Sequence, residues 1–162
     1  MISIKIICVG KIKDKNLEAL VDEYKKRVTK YAKLEITELE DEKILQNISQ
    51  IQLENIKEKE SNKIIEKIEK LNQVHVIALD LNGEMISSEE FSKKLKNIPV
   101  NGYSTIVFVI GGSLGMSKKL LDLCDEKLCF STLTFPHQLI RLFLCEQIFR
   151  AFKIIHNETY HH

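Results

Sequence analysis

The stretch TIVFVIGGSLG, residues 105–115, sets six apolar or β-branched residues directly before three glycines in five positions. Such a run is short enough for a strand and apolar enough to be covered on both faces, as strands of parallel sheets are. It places the chain in the α/β class. The glycines let the backbone turn sharply and approach a ligand closely. A tight strand-to-helix turn would use the same residues for geometry alone. A phosphate loop would continue to Lys-Ser/Thr after a longer gap, and a dinucleotide loop would read Gly-x-Gly-x-x-Gly; this stretch does neither. The loop suits a ligand without phosphates better.

Outward from this strand, hydrophobic spacing alternates between two periods. Ile2, Ile4 and Ile6 ahead of Ile7, Cys8 and Val9 predict a first strand ending at Gly10. Leu17, Leu20, Val21, Tyr24, Val28 and Tyr31 share one helical face. Leu34, Ile36 and Leu39 suggest a second strand, followed by a Lys/Glu-rich helix carrying Ile56, Ile64, Ile65, Ile68 and Leu71, its outer face solvated. Residues 74–79 form a third strand, ending in a turn at Asp80-Leu81-Asn82-Gly83. Ser87 and Glu90 make a capping box for a helix through Lys96. After the glycine loop come a short helix from Ser117, a fifth strand KLCFS at 127–131, and a long helix from Pro136 to about Ile155. Alternating strands and helices imply one domain, residues 1–162, with a mostly parallel sheet and helices on both faces.

Composition narrows the function classes. Hydrophobic content of 44% with 29% charged residues is that of an ordinary globular protein. No apolar run approaches a membrane span and no signal peptide is seen, which predicts a cytoplasmic protein with no membrane partner. Cys8, Cys124, Cys129 and Cys145 lack Cys-x-x-Cys spacing, so reduced thiols and no metal are expected. Net charge is +1, short of what phosphate contacts alone would demand of a nucleic-acid binder. The first 33 residues carry nine Lys/Arg against Asp14, Glu18, Asp22 and Glu23, either a phosphate-facing patch or a solvated helix face.

The last helix, with Leu139, Phe143, Cys145, Ile148, Phe149, Ala151, Phe152 and Ile154, leaves no wide polar face. Either it crosses a monomer's centre or a second copy of the chain covers it, and the homodimer is the favoured expectation. Ligands of open parallel sheets bind beyond the strands' carboxyl ends. Those ends here are 79–83, 111–115 and 130–135. The segment FSTLTF offers apolar walls at Phe130, Leu133 and Phe135 and hydroxyls at Ser131, Thr132 and Thr134, a mixture suited to an adenosine or simply to packing a strand end. Polar residues gather late in the chain: His137, Arg141, Glu146, Arg150, His156, Tyr160, His161 and His162. Glu146 and Arg150, spaced i,i+4, predict an ion pair. His137 reads equally as a local hydrogen-bonding residue or a catalyst, and Arg141 suits a phosphate.

Taken together, IGGSLG, FSTLTFPHQLIRLFLCEQIFRAFKI and the ending ETYHH resemble the RlmH (YbeA-like) branch of the SPOUT methyltransferases, as do VGKIKDKNLEALVDEYKKRV and LEITELEDEK. The resemblance spans essentially the whole chain. It implies a carboxyl-terminal trefoil knot, a cytoplasmic homodimer, and S-adenosyl-L-methionine as cofactor. The implied reaction is methylation of N3 of a pseudouridine in 23S ribosomal RNA on the assembled ribosome. Its alternatives are a SPOUT enzyme acting on another RNA such as tRNA, and a non-catalytic ribosome-associated α/β protein. By matching position, Leu79, Gly111 and the run Phe130, Ser131, Thr132, Leu133, Thr134 and Phe135 resemble cofactor contacts, with Gly112, Ser113 and Gly115 completing the loop. His137, Arg141, Arg150, Tyr160 and His161 look like the residues around the target base, with Arg141 and Arg150 meeting RNA phosphates or shaping the active site and the tail reaching the partner's site. His161, or a water held by the tail, is the expected acceptor of the N3 proton. Asn157 stands where the family often has Gly, a residue that tolerates a left-handed backbone. His162 replaces the family's usual Lys or Arg, which puts a phosphate contact there in doubt.

Overall fold

In the computed structural model, which describes residues 1–161, five strands alternate with five helices. They run in the order β1 (Ser3–Val9), α1 (Lys15–Val28), β2 (Lys33–Leu39), α2 (Gln50–Glu69), β3 (Val74–Glu84), α3 (Ser88–Val100), β4 (Thr105–Ile110), α4 (Lys118–Leu123), β5 (Glu126–Leu128) and α5 (His137–Ile155). The sheet order is β2-β1-β4-β3-β5 and every pairing is parallel. The glycine loop thus leaves the central strand.

Register explains the apolar runs. Ile6, Phe108 and Ile77 pair across β1, β4 and β3 and face α1, α3 and α5. Ile7, Val109 and Ala78, one position on, face α2 and α4. All three strands are covered twice, so they do not alternate. Helix α5 packs between α1 and α3, and Leu144, Cys145 and Ile148 lose all exposure. Its broad apolar surface is therefore covered largely from within the chain. Leu139 and Phe143 keep 37% and 40% of their surface.

Several boundaries depart from the sequence expectation. The turn expected at residues 80–83 is instead a continuation of β3, which slips register between Leu79 and Glu84 and pairs with Leu128 again. Gly83 serves close approach there, since a Cβ would fall 2.6 Å from the Leu128 backbone carbon. Strand β5 stops at Leu128 rather than reaching Ser131; the Cys129 N–H donates to the Glu84 carbonyl of β3 at 2.9 Å, the last bond that holds this segment to the sheet. Helix α3 runs past Lys96 to Val100, accommodating Pro99 in its last turn. Its expected capping box is present, with Ser87 and Glu90 each accepting the other's backbone N–H. Pro136, at ψ 135°, is the residue before α5 rather than its first helical one.

The early basic residues are a paired surface in part. Lys5 and Lys33 meet Glu35, Arg27 meets Glu23, and Lys30 meets Glu158. All four cysteines are free thiols. Burial pushes Cys8 up to about 11 and Cys145 up to about 12, which keeps both protonated and inert.

Candidate active site

The carboxyl ends of β3, β4 and β5 converge on one cavity of about 550 Å³. Of the sequence-predicted cofactor residues, Leu79, Gly111, Gly112, Ser113, Gly115, Phe130, Ser131, Leu133, Thr134 and Phe135 line it. Thr132 does not. Asp80, Met116, Cys129, His137 and Ile140 are among its other walls.

The glycine loop is tied on itself: the Gly115 N–H donates to the Gly112 carbonyl at 3.0 Å, closing an isolated bridge. Gly115 adopts φ +81°, a conformation a side chain would strain. The loop then enters α4, whose cap Ser117 donates its N–H to Ser61 Oγ at 2.8 Å. Beside Ser61, Glu60 is only 4% exposed and sits so near Gly112 that a Cβ there would come within 3.0 Å of its Oε1. Burial raises the Glu60 carboxyl above its usual range, and its Oε2 accepts the Glu42 N–H at 3.0 Å. The solvated outer face expected of α2 does not include this residue, which stands on the helix's buried face. The signal was available, for Glu60 lies one helical turn before Ile64 on the same face.

His137 opens α5 and lies against Gly10. Burial, and secondarily the Arg141 charge, hold its pKa below the ordinary value. One turn on, Arg141 is fully buried. Its Nη1 donates to Glu38 Oε2 at 2.7 Å and its Nη2 to the Gly10 carbonyl at 3.1 Å. Glu38 Oε2 also accepts the Ile12 N–H at 2.8 Å. Of the two roles expected of Arg141, its placement suits shaping the site and not a phosphate contact: the guanidinium points inward and fastens α5 to the ends of β1 and β2.

Of the five residues expected around the target base His137 alone lines this cavity; Arg141 does not, and neither do the other three, Arg150, Tyr160 and His161. They gather where the tail folds back over α5. Asn157 makes that reversal at φ 53°, as its replacement of glycine allows. Glu158 then accepts bonds from Lys153, Tyr31 and Lys30. Arg150 forms the expected ion pair with Glu146 Oε1, 2.7 Å from its Nη2, and the Tyr160 hydroxyl donates to the same oxygen at 3.0 Å. The Tyr160 ring stands 5.0 Å from Phe149, edge on, and 4.8 Å from the Arg150 guanidinium. Burial, then hydrogen bonds to Tyr24 and Glu146, push its phenol up to about 12. His161 bridges Arg150 and Glu89. His162 lies outside the described residues.

A second cavity, about 300 Å³, joins the two groups. It shares Leu128, Cys129, Phe130 and Phe135 with the first and carries Phe143, Ser88, Gln147 and Glu146 on its other walls. Glu146 thereby belongs both to this cavity and to the tail cluster. Among the described residues no group of three His, Cys, Asp or Glu is placed to hold a metal, and no helix is long and apolar enough to cross a membrane.

Comparison with known proteins gives consistent results. The family model described as "Predicted SPOUT methyltransferase" matches residues 2–161. The ribosomal RNA large subunit methyltransferase H 1 of Clostridium perfringens (strain SM101 / Type A) is 53% identical over 159 residues, 98% of this chain and 99% of that protein. The ribosomal RNA large subunit methyltransferase H of Clostridioides difficile (strain 630) is 50% identical over the same shares. Among solved structures, a methylase family protein from Haemophilus influenzae Rd KW20 superposes with TM-score 0.57 at 14% identity, covering 98% of this chain and 70% of that one. A Legionella pneumophila protein, described as a methyltransferase in complex with the cofactor SAM, gives 0.50 at 10%, covering 91% and 65%. At these identities the structural likeness speaks for the fold alone.

Proposed function

The chain belongs to the SPOUT methyltransferase family, and from that premise we propose that it methylates N3 of a pseudouridine in large-subunit (23S) ribosomal RNA on the assembled ribosome, using S-adenosylmethionine. The observation that carries this reading is the convergence of three strand ends on one cavity. The donor fits its walls: Phe130, Leu133 and Phe135 offer apolar surface to an adenosine, Ser113, Ser131 and Thr134 offer hydroxyls, and the glycine loop has no phosphate-binding lysine. S-adenosylmethionine, when bound, supplies an electrophilic methyl group on a sulfonium.

The chain's own part is alignment and exclusion of water. Enzymes that modify a base take it out of its stack into a pocket with apolar or aromatic walls. The smaller cavity, walled by Phe135 and Phe143 and opening against the larger one, suits such a pyrimidine. Arg150 and Tyr160 stand behind it through Glu146. Ribosomal RNA as the target is supported by the names of relatives about half identical along nearly the whole chain. Near-neutral net charge favours a folded ribosomal surface over naked RNA.

In the same reading residues 1–162 are a single domain, its carboxyl-terminal part holds the family's trefoil knot, and the protein works in the cytoplasm as a homodimer. Support for the dimer comes from apolar side chains left in water on α1 and α5, Leu20 and Leu139, which line a groove together with Leu17 and Leu142. The test is methyl transfer from labelled S-adenosylmethionine to whole ribosomes, separated subunits, naked ribosomal RNA and tRNA, with the product nucleoside identified by mass spectrometry. N3-methylpseudouridine formed on ribosomes is expected. Transfer to tRNA instead, or cofactor binding with no transfer, would replace this reading with one of its alternatives.

A further inference from the structure

Both ring nitrogens of His161 are engaged by partners whose hydrogen-bonding roles cannot be exchanged. Glu89 Oε1 lies 2.6 Å from Nε2. An ionised carboxylate only accepts. Arg150 Nη1 lies 3.1 Å from Nδ1. A guanidinium only donates. The proton must therefore sit on Nε2 and the lone pair on Nδ1. An imidazolium would set an N–H and a positive charge against the Arg150 N–H. The other neutral tautomer would oppose two donors at Nδ1 and two acceptors at Nε2. Of three forms, one satisfies both contacts.

We propose that Glu89 is a positioning residue of the transfer site: it fixes His161 as the neutral Nε2–H tautomer, whose Nδ1 lone pair then holds Arg150. His161 is accordingly a link in the site and not the base that removes the N3 proton, since its one lone pair is already occupied. Glu89 acts from the first turn of α3, which the Ser87–Glu90 capping box secures. From there the bonds run through His161 to Arg150, and from Arg150 to the Glu146 oxygen that also holds the Tyr160 hydroxyl. The chain of contacts ends at the wall of the smaller cavity. The hydrogen bond from His161 is the chief cause holding the Glu89 carboxyl below its usual range, which keeps it an acceptor. The role in catalysis rests on the methyl-transfer reading; the tautomer does not.

The test combines nitrogen NMR of the whole protein, labelled with ¹⁵N-histidine, with ribosome methylation. Near neutral pH the His161 signals, assigned by their loss in His161→Ala, are expected to show a protonated Nε2 and a bare Nδ1. In Glu89→Ala the preference for Nε2–H should weaken, with Arg150 alone still favouring it, and kcat should fall about tenfold, with KM for S-adenosylmethionine and the melting temperature unchanged. Glu89→Gln, whose amide oxygen can still accept from Nε2, should keep the tautomer and most of the rate. The double variant Glu89→Ala/His161→Ala should be no slower than His161→Ala. A wild-type His161 protonated on Nδ1, alone or on both nitrogens, overturns the proposal, as does an unchanged kcat in Glu89→Ala. Wild-type protein that methylates no ribosomes would defeat the methyl-transfer reading instead, and the spectrum would still decide the tautomer.

Discussion

Arg141 shows how much one side chain can hold. Its guanidinium, with no exposure, joins α5 to Glu38 on β2 and to the Gly10 carbonyl at the end of β1, and so sets where His137 stands beside the cavity. Removing one partner of a buried pair costs about 3–5 kcal/mol. Arg141→Ala should lie near the lower figure, because the Glu38 side chain keeps 36% of its surface in water. Urea unfolding would measure this. Ribosome binding by the folded fraction should not weaken, as it would if Arg141 met a phosphate. The sequence could not have disclosed that inward turn. Arginine is almost never fully buried, and only contacts more than a hundred positions away, to Glu38 and Gly10, reverse the expectation. The cofactor residues were more legible, since glycines and small hydroxyl residues just past apolar strands mark a site by position alone. Thr132 stays off the cavity wall, where the Leu133 N–H donates back to Ser131 Oγ in a local turn around it, a detail that the run of residue types does not reveal.

At the scale of elements, the reversal after α5 is an electrostatic clasp. Glu158 accepts from Lys153, Tyr31 and Lys30, and its carboxyl is held down at about 2, the Lys153 bond being the first cause and the Tyr31 bond the second. The ordinary value is 4.5. A depressed acid contributes stability that is complete above the unfolded value and is lost as pH falls through the folded one. The difference in melting temperature between wild type and Glu158→Gln should therefore be steady above pH 4.5 and shrink toward zero as pH approaches 2. A difference independent of pH would mean that the clasp is not ionic. The central strands were readable because burial on both faces leaves unbroken apolar runs. Their ends were not: β3 outran its turn residues because Gly83 fits against the Leu128 backbone, a contact only the assembled sheet creates.

For the whole molecule, the apolar residues still in water predict association. Sedimentation equilibrium should give the mass of two chains, and Leu139→Asp, which places a charge in the groove between α1 and α5, should give that of one. A wild-type monomer at all concentrations would leave the groove to some other use. The position of α5 in the fold also bears on how the protein is made. Ser3 pairs with Thr105, so β1 waits for β4, and Tyr24, Val28, Phe91 and Leu95 wait longer still for a helix that begins at His137. Chains emerge at about 5–20 residues per second, amino end first, and the faces of α1 and α3 stay bare for most of that time. The cavity cannot close before its last wall, residues 130–140, has been translated. A nascent chain halted anywhere short of α5 is thus an exposed apolar surface with no site, a client for a chaperone and not a partly active enzyme.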